Sequence, residues 1–109
     1  MRLRSTPLVG AVATAALLGA AGPAAAQDAG ALRLNALAAT CANCHGTQGR
    51  AVEGAAVPGL AGMPAAYVVE QMKAFKAGSR PATVMHQLAK GYSDAQIEQV
   101  AAYFAAQRK

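Results

Sequence analysis

The chain has 109 residues, a formal net charge of +5, two cysteines and 54% hydrophobic residues. Much of that apolar content lies in an Ala-rich start, and without Arg2 and Arg4 the charge falls to +3. No dense Lys/Arg run remains, which excludes the usual footprint of a nucleic-acid binder.

The first segment reads as an export signal. Arg2 and Arg4 precede an apolar stretch from Leu8 to Ala21, and Ala24-Ala25-Ala26 before Gln27 forms a small-residue cleavage site. The apolar run is shorter than the roughly 20 residues of a spanning helix. The expectation is a cleaved secretory signal peptide over residues 1–26, export to the periplasm, and no stable membrane span after cleavage. One domain over residues 27–109 is left, 83 residues long. Chains of that size bury little surface and often depend on a staple such as a disulfide, metal or cofactor.

A helix is predicted from Ala29 to about Cys41, because Leu34, Leu37, Ala38 and Cys41 recur at i, i+3, i+4 and i+7. It carries Cys41 to the core side. Cys41-Ala42-Asn43-Cys44-His45 follows, holding both cysteines of the chain. From Gly46 to Gly62 the sequence is rich in Gly, Ala and Pro and shows no firm period. Such a long loop suits a small domain only if it packs on something other than protein. Pro64 fits the first turn of a second helix, with Val68, Met72 and Phe75 on one face and Glu70, Lys73 and Lys76 on another; Gly78 is its stop signal. A short helix is expected around Thr83–Ala89. In the last helix Ser93 and Gln96 form a capping box, Asp94 suits the helix dipole, and Ile97, Val100, Ala101 and Phe104 make the apolar stripe. With almost no strand signal, the fold class is all-α.

C-x-x-C-H is the attachment signature of a c-type haem. Each thiol can add across a vinyl group of the porphyrin, and the adjacent imidazole can reach the iron from the same side. Two other chemistries use such cysteines. A dithiol oxidoreductase site belongs at a strand-to-helix turn, which is missing here. Zinc needs four ligands, and Cys41, Cys44, His45 and His86 lack the usual paired second half. One motif implies one haem. If His45 is one axial ligand, a six-coordinate iron needs a second, from Met63, Met72, Met85 or His86. Met72 sits on an apolar helix face, where methionine is more often core filling. Met63 lies in the loop before a helix. His86 reads as solvent-facing. Met85 follows the turn-rich Gly78-Ser79-Arg80-Pro81 and is favoured.

Cys41-Ala-Asn-Cys44-His45-Gly46, Pro58-Gly-Leu60-Ala-Gly62, Met85 and the final Ser-Asp-x-x-Ile helix resemble the class I cytochromes c. Phe75-Lys-Ala-Gly78, Thr83-Val-Met85 and Ala89-Lys90-Gly91-Tyr92-Ser93 are similar to one haem domain of the haem subunit of flavocytochrome c sulfide dehydrogenase, usually a two-haem subunit, and to related sulfur-oxidation cytochromes. The resemblance implies a class I cytochrome c fold of about four short helices wrapped around one covalent haem. It implies thioethers at Cys41 and Cys44, axial ligation by His45 and Met85, and a Pro58 carbonyl that accepts the hydrogen bond of the proximal histidine. Tyr67, Tyr92 and Phe104 are candidate haem-packing aromatics.

With both axial positions filled, such a protein has no open site for substrate and is expected to move electrons, not to be an enzyme. Its expected partners are redox proteins. One is an FAD-containing sulfide dehydrogenase flavoprotein to which it would serve as haem subunit. The alternatives are a free-standing general carrier and a gas-binding haem with an open distal site. Lys73, Lys76, Arg80 and Lys90 cluster in sequence around the distal ligand and could form a basic rim for an acidic partner.

Overall fold

The computed structural model describes residues 23–109. The expected signal peptide therefore lies, up to residue 22, outside the described residues. Among the described residues, five α-helices occur in chain order: α1 (Pro23–Ala39), α2 (Ala42–His45), α3 (Ala65–Ala77), α4 (Met85–Leu88) and α5 (Asp94–Ala105). Two 3-10 turns, Thr47–Gly49 and Ala89–Gly91, complete the regular structure, and no strand is present among the described residues. None of the described helices is long and apolar enough to cross a membrane.

α1 is built largely from Ala and Leu, both good helix formers. It buries Ala38 and half-buries Leu34 and Leu37. The helix expected to run through Cys41 stops at Ala39. The Thr40 hydroxyl donates to the Leu37 carbonyl at 2.7 Å, and the Cys41 N–H bonds Ala38 at 3.1 Å in a tighter turn. A side-chain donor competing for a helix carbonyl ends the α pattern. Cys41 consequently sits in the corner between α1 and α2, half-buried against the core.

α5 is capped as its sequence predicts. Ser93 Oγ accepts from the Gln96 N–H at 3.1 Å, while Gln96 Oε1 accepts from the Ser93 N–H at 2.9 Å. Its apolar stripe buries Ile97, Val100, Ala101 and Phe104. Val100 and Phe104 meet Ala38 of α1, with Leu37, Cys41, Leu60 and Tyr103 around them. The Tyr103 ring stands edge-on to Phe104 at 5.1 Å, a favoured aromatic geometry.

α3 starts immediately after Pro64, which sits at the N-cap position and not inside the first turn as expected, and ends at Gly78 in the left-handed conformation at φ 78°. It packs on both α4 and α5. The short helix expected over Thr83–Ala89 is narrower, Met85–Leu88, because the next three residues tighten into the 3-10 turn. Ala89 in that turn is fully buried.

Candidate haem site

The protein core is small because its centre is a cavity. A space of about 580 Å³ opens between the motif, the loop, α3, α4 and α5. That volume lies in the range of cofactor pockets, roughly 300–1,000 Å³. Its apolar walls include Leu60, Val68, Phe75, Val100 and Phe104. The inner face of α3 thus borders the cavity as well as packing on α4 and α5. Phe104 serves both, closing the core on one side and the cavity on the other.

The proximal wall is made by α2 and the loop after it. Cys41, Cys44 and His45 all line the cavity, and both cysteines are free thiols. Burial pushes the Cys41 thiol above its ordinary pKa; the side-chain contact with Thr40 partly offsets this, and the neighbouring Cys44 adds to it. The imidazole of His45 is aimed by the loop. Its Nδ1 lies 2.7 Å from the Pro58 carbonyl oxygen. A carbonyl can only accept, so Nδ1 carries the proton and Nε2 keeps a free lone pair for a metal.

Two glycines bring Pro58 to that position. Gly46 turns the chain directly after His45 at φ 85°, and a Cβ there would fall 2.0 Å from the Arg50 carbonyl oxygen. The Gly49 carbonyl then accepts two N–H groups from the far end of the loop, Leu60 at 2.8 Å and Ala61 at 3.1 Å. This closes residues 50–59 into a loop pinned at its base. Gly62 N–H to the Phe104 carbonyl (2.8 Å) and Arg50 Nε to the Arg108 carbonyl (2.9 Å) anchor it to the end of α5.

Three methionines also line the cavity: Met63, Met72 and Met85. Met72 was expected to fill the core from α3, and here that face borders the cavity. Met85 is half-buried at the first residue of α4, after the irregular segment that leaves α3. His86 does not line the cavity and is half-buried instead of solvent-facing; its Nδ1 is buried without a hydrogen-bond partner. Among the described residues no group of three or more His, Cys, Asp and Glu could hold a metal ion, so the four-ligand zinc arrangement is not assembled.

The distal segment is tied down by side chains. Tyr92 lines the cavity, and its hydroxyl meets Thr40 Oγ1 at 2.5 Å. Since Thr40 already donates to Leu37, Tyr92 is the donor. Lys76 Nζ donates to the Tyr92 carbonyl at 2.7 Å and to Asp94 Oδ1 at 3.1 Å. The expected basic rim is therefore only partly free. Lys76 is committed to α5, Arg80 is held against Phe75 and Gln71, and Lys73 and Lys90 remain exposed.

The donor set fits a haem. A flat apolar ring suits these walls, two thiols and one imidazole share a wall, and thioethers come from elsewhere on the lining.

Comparison with known proteins agrees with this chemistry. The family model described as Cytochrome c matches residues 35–107. The cytochrome subunit of sulfide dehydrogenase from Chlorobaculum tepidum is 40% identical over 68 residues, covering 62% of this chain and 60% of that protein. The thiosulfate dehydrogenase electron acceptor of Thiomonas intermedia is 40% identical over 67 residues, covering 62% of this chain and 31% of its own length. Cytochrome c-554(548) of Halomonas halodenitrificans is 38% identical over 71 residues, 62% of this chain and 84% of that protein. The chain thus spans between about a third and three-fifths of the two sulfur-compound dehydrogenase relatives.

Proposed function

We propose, on the premise that this chain belongs to the cytochrome c family, that it is an exported one-electron carrier with His/Met ligation of a single covalent haem c. The observation that carries the reading is the His45 Nδ1 bond to Pro58 on the wall shared with Cys41 and Cys44, with Met85 on the same cavity. When bound, haem c supplies a one-electron iron(III)/iron(II) couple.

Each part of the chain has a role in this reading. Cys41 and Cys44 would hold the haem covalently, each through a thioether. His45 presents Nε2 as proximal ligand, its orientation and basicity set by the Pro58 carbonyl. Met85 gives the distal thioether, a pairing with histidine that favours the reduced state. With His45 and Met85 both holding the iron, the protein would offer no place for a substrate at the metal. Replacing Met85 with Ala is expected to abolish the thioether–iron charge-transfer absorption and to let the reduced protein bind carbon monoxide quickly. Survival of the band in Met85→Ala would move the ligand to Met63 or Met72 and sink this assignment.

For the partner, the reading is a haem subunit that accepts electrons from an FAD-containing sulfide dehydrogenase flavoprotein. The similarity to the Chlorobaculum tepidum subunit supports it. Co-purification with a yellow flavoprotein is the expected result. A second reading, a free-standing carrier, is favoured by the match that covers 84% of cytochrome c-554(548), and a flavin-free monomer from native cells would select it. Export to the periplasm with removal of residues 1–26 rests on Arg2, Arg4 and Ala24-Ala25-Ala26. A mature protein whose mass does not begin at Gln27 would overturn that boundary.

A further inference from the structure

Among the described residues that line the cavity, Arg80 carries the one guanidinium or ammonium group, and none carries a carboxylate. The group that fills this cavity, on the reading above, brings two propionate carboxylates with it. A carboxylate beside apolar walls is costly unless a donor pairs with it. We propose that Arg80 is the propionate-recognising residue of this site, and that Gln71 positions it.

Arg80 is held where it can do this. Gly78, in the left-handed conformation, ends α3 and turns the chain back over it. The Ala74 carbonyl then accepts from the Ser79 N–H at 3.0 Å, the Ser79 hydroxyl at 3.2 Å and the Arg80 N–H at 3.3 Å. That fixes the Arg80 backbone at the cavity edge. Its guanidinium carbon lies 4.6 Å from the centre of the Phe75 ring, a cation–π distance. Nη1 donates to Gln71 Oε1. Phe75, Gln71 and Arg80 all line the cavity.

Of the five N–H groups on a guanidinium, Gln71 takes one, and the planar fork that remains matches a carboxylate in a way an ammonium cannot. The Gln71 amide NH2 adds further donors beside it. Arg80 is also exposed, as suits a charged group at the solvent edge of an otherwise apolar ring. Lys73 and Lys90 do not line the cavity and cannot substitute.

The pairing has an electronic consequence. An unpaired carboxylate near the iron stabilises the oxidised, more positive state and lowers the potential. A guanidinium on that carboxylate cancels the effect. In the haem-loaded full chain, Arg80→Gln is therefore expected to shift the propionate-bending band in the resonance Raman spectrum and to lower the midpoint potential, with the charge-transfer band retained. Arg80→Lys, which keeps charge without fork or stacking, should shift the same band and lower the potential by less; it carries the comparison if the Gln variant does not accumulate. Gln71→Leu should shift the propionate band in the same direction by a smaller amount. An unchanged propionate band and potential in Arg80→Gln would overturn the proposal. A change confined to the ionic-strength dependence of electron transfer would do the same, by making Arg80 a docking cation. The inference rests on the haem reading, and the two fail separately, because the charge-transfer band reports Met85 and the propionate band reports Arg80.

Discussion

On the proximal side of the cavity, from Cys41 to Gly62, main-chain groups do most of the holding. The Gly49 carbonyl clasps Leu60 and Ala61, the Pro58 carbonyl aims His45, and Gly46 permits a close backbone approach that no side chain would allow. On the distal side, from Gly78 to Ser93, the ties are mostly side chains: Lys76 to the Tyr92 carbonyl and Asp94, Tyr92 to Thr40, Arg80 to Phe75 and Gln71. A main-chain clasp depends on conformation and is broken by almost any substitution that disturbs it. A side-chain tie is broken only by changing its own residue, and then modestly. The proximal half is built for fidelity of attachment, the distal half for adjustment.

The largest expected effect tests the clasp. Gly49 has φ 77°, and a Cβ there would sit 2.8 Å from both the Ala61 nitrogen and Phe104 Cδ1. Gly49→Ala should cost at least ~3 kcal/mol from strain and overlap together. In a domain of this size that is about 12 °C or more in melting temperature, read by thermal unfolding of the haem-loaded protein. A loss under about 1 kcal/mol would mean that the proximal wall yields and the contrast with the distal side is false.

An intermediate effect belongs to Lys76. Its ammonium donates to a backbone carbonyl in a half-buried setting, so Lys76→Met should cost about 1–2 kcal/mol. Asp94, the other partner, has a side chain 68% exposed, and Asp94→Asn should cost less than ~1 kcal/mol, falling further with added salt. Denaturant midpoints decide it. Equal losses would show that the ion pair, and not the bond to Tyr92, fastens the distal segment.

A change smaller than that of Lys76 is Tyr92→Phe, which removes one hydroxyl bond to Thr40 and should cost about 1 kcal/mol. A double-mutant cycle with Thr40→Val isolates that bond from the Thr40 contact to Leu37. A coupling energy near zero would remove this tie from the distal wall.

Much of the architecture was legible because its causes are local. The stop at Gly78, the Ser93–Gln96 box and the stripe Ile97–Val100–Ala101–Phe104 each act within a few residues, and α3 and α5 lie where those signals put them. The C-x-x-C-H chemistry is equally local. The early stop of α1 at Ala39 was hidden, since it turns on which donor captures the Leu37 carbonyl. α2 has only four residues, too few for any periodicity to register. The commitments of Lys76 and Arg80 were also hidden, because a run of cations in sequence does not say which of them finds a partner in space. Helical periodicity marks the apolar face of α3 but is silent on whether Met72 meets protein or a prosthetic group. The sequence placed Met63, Met72 and Met85 in contention, and all three reach the cavity. Only the spectroscopy of their variants assigns one to the iron.

The His45–Pro58 bond joins residues 13 apart in the chain, while Thr40–Tyr92 joins residues 52 apart. Two doublings of loop length raise the chain-entropy cost of closure by ~1.2 kcal/mol. The bond that aims His45 can accordingly close on sequence that has already emerged. The Thr40–Tyr92 tie, like the anchors of the proximal loop to Phe104 and Arg108, must wait for the C-terminal third to arrive.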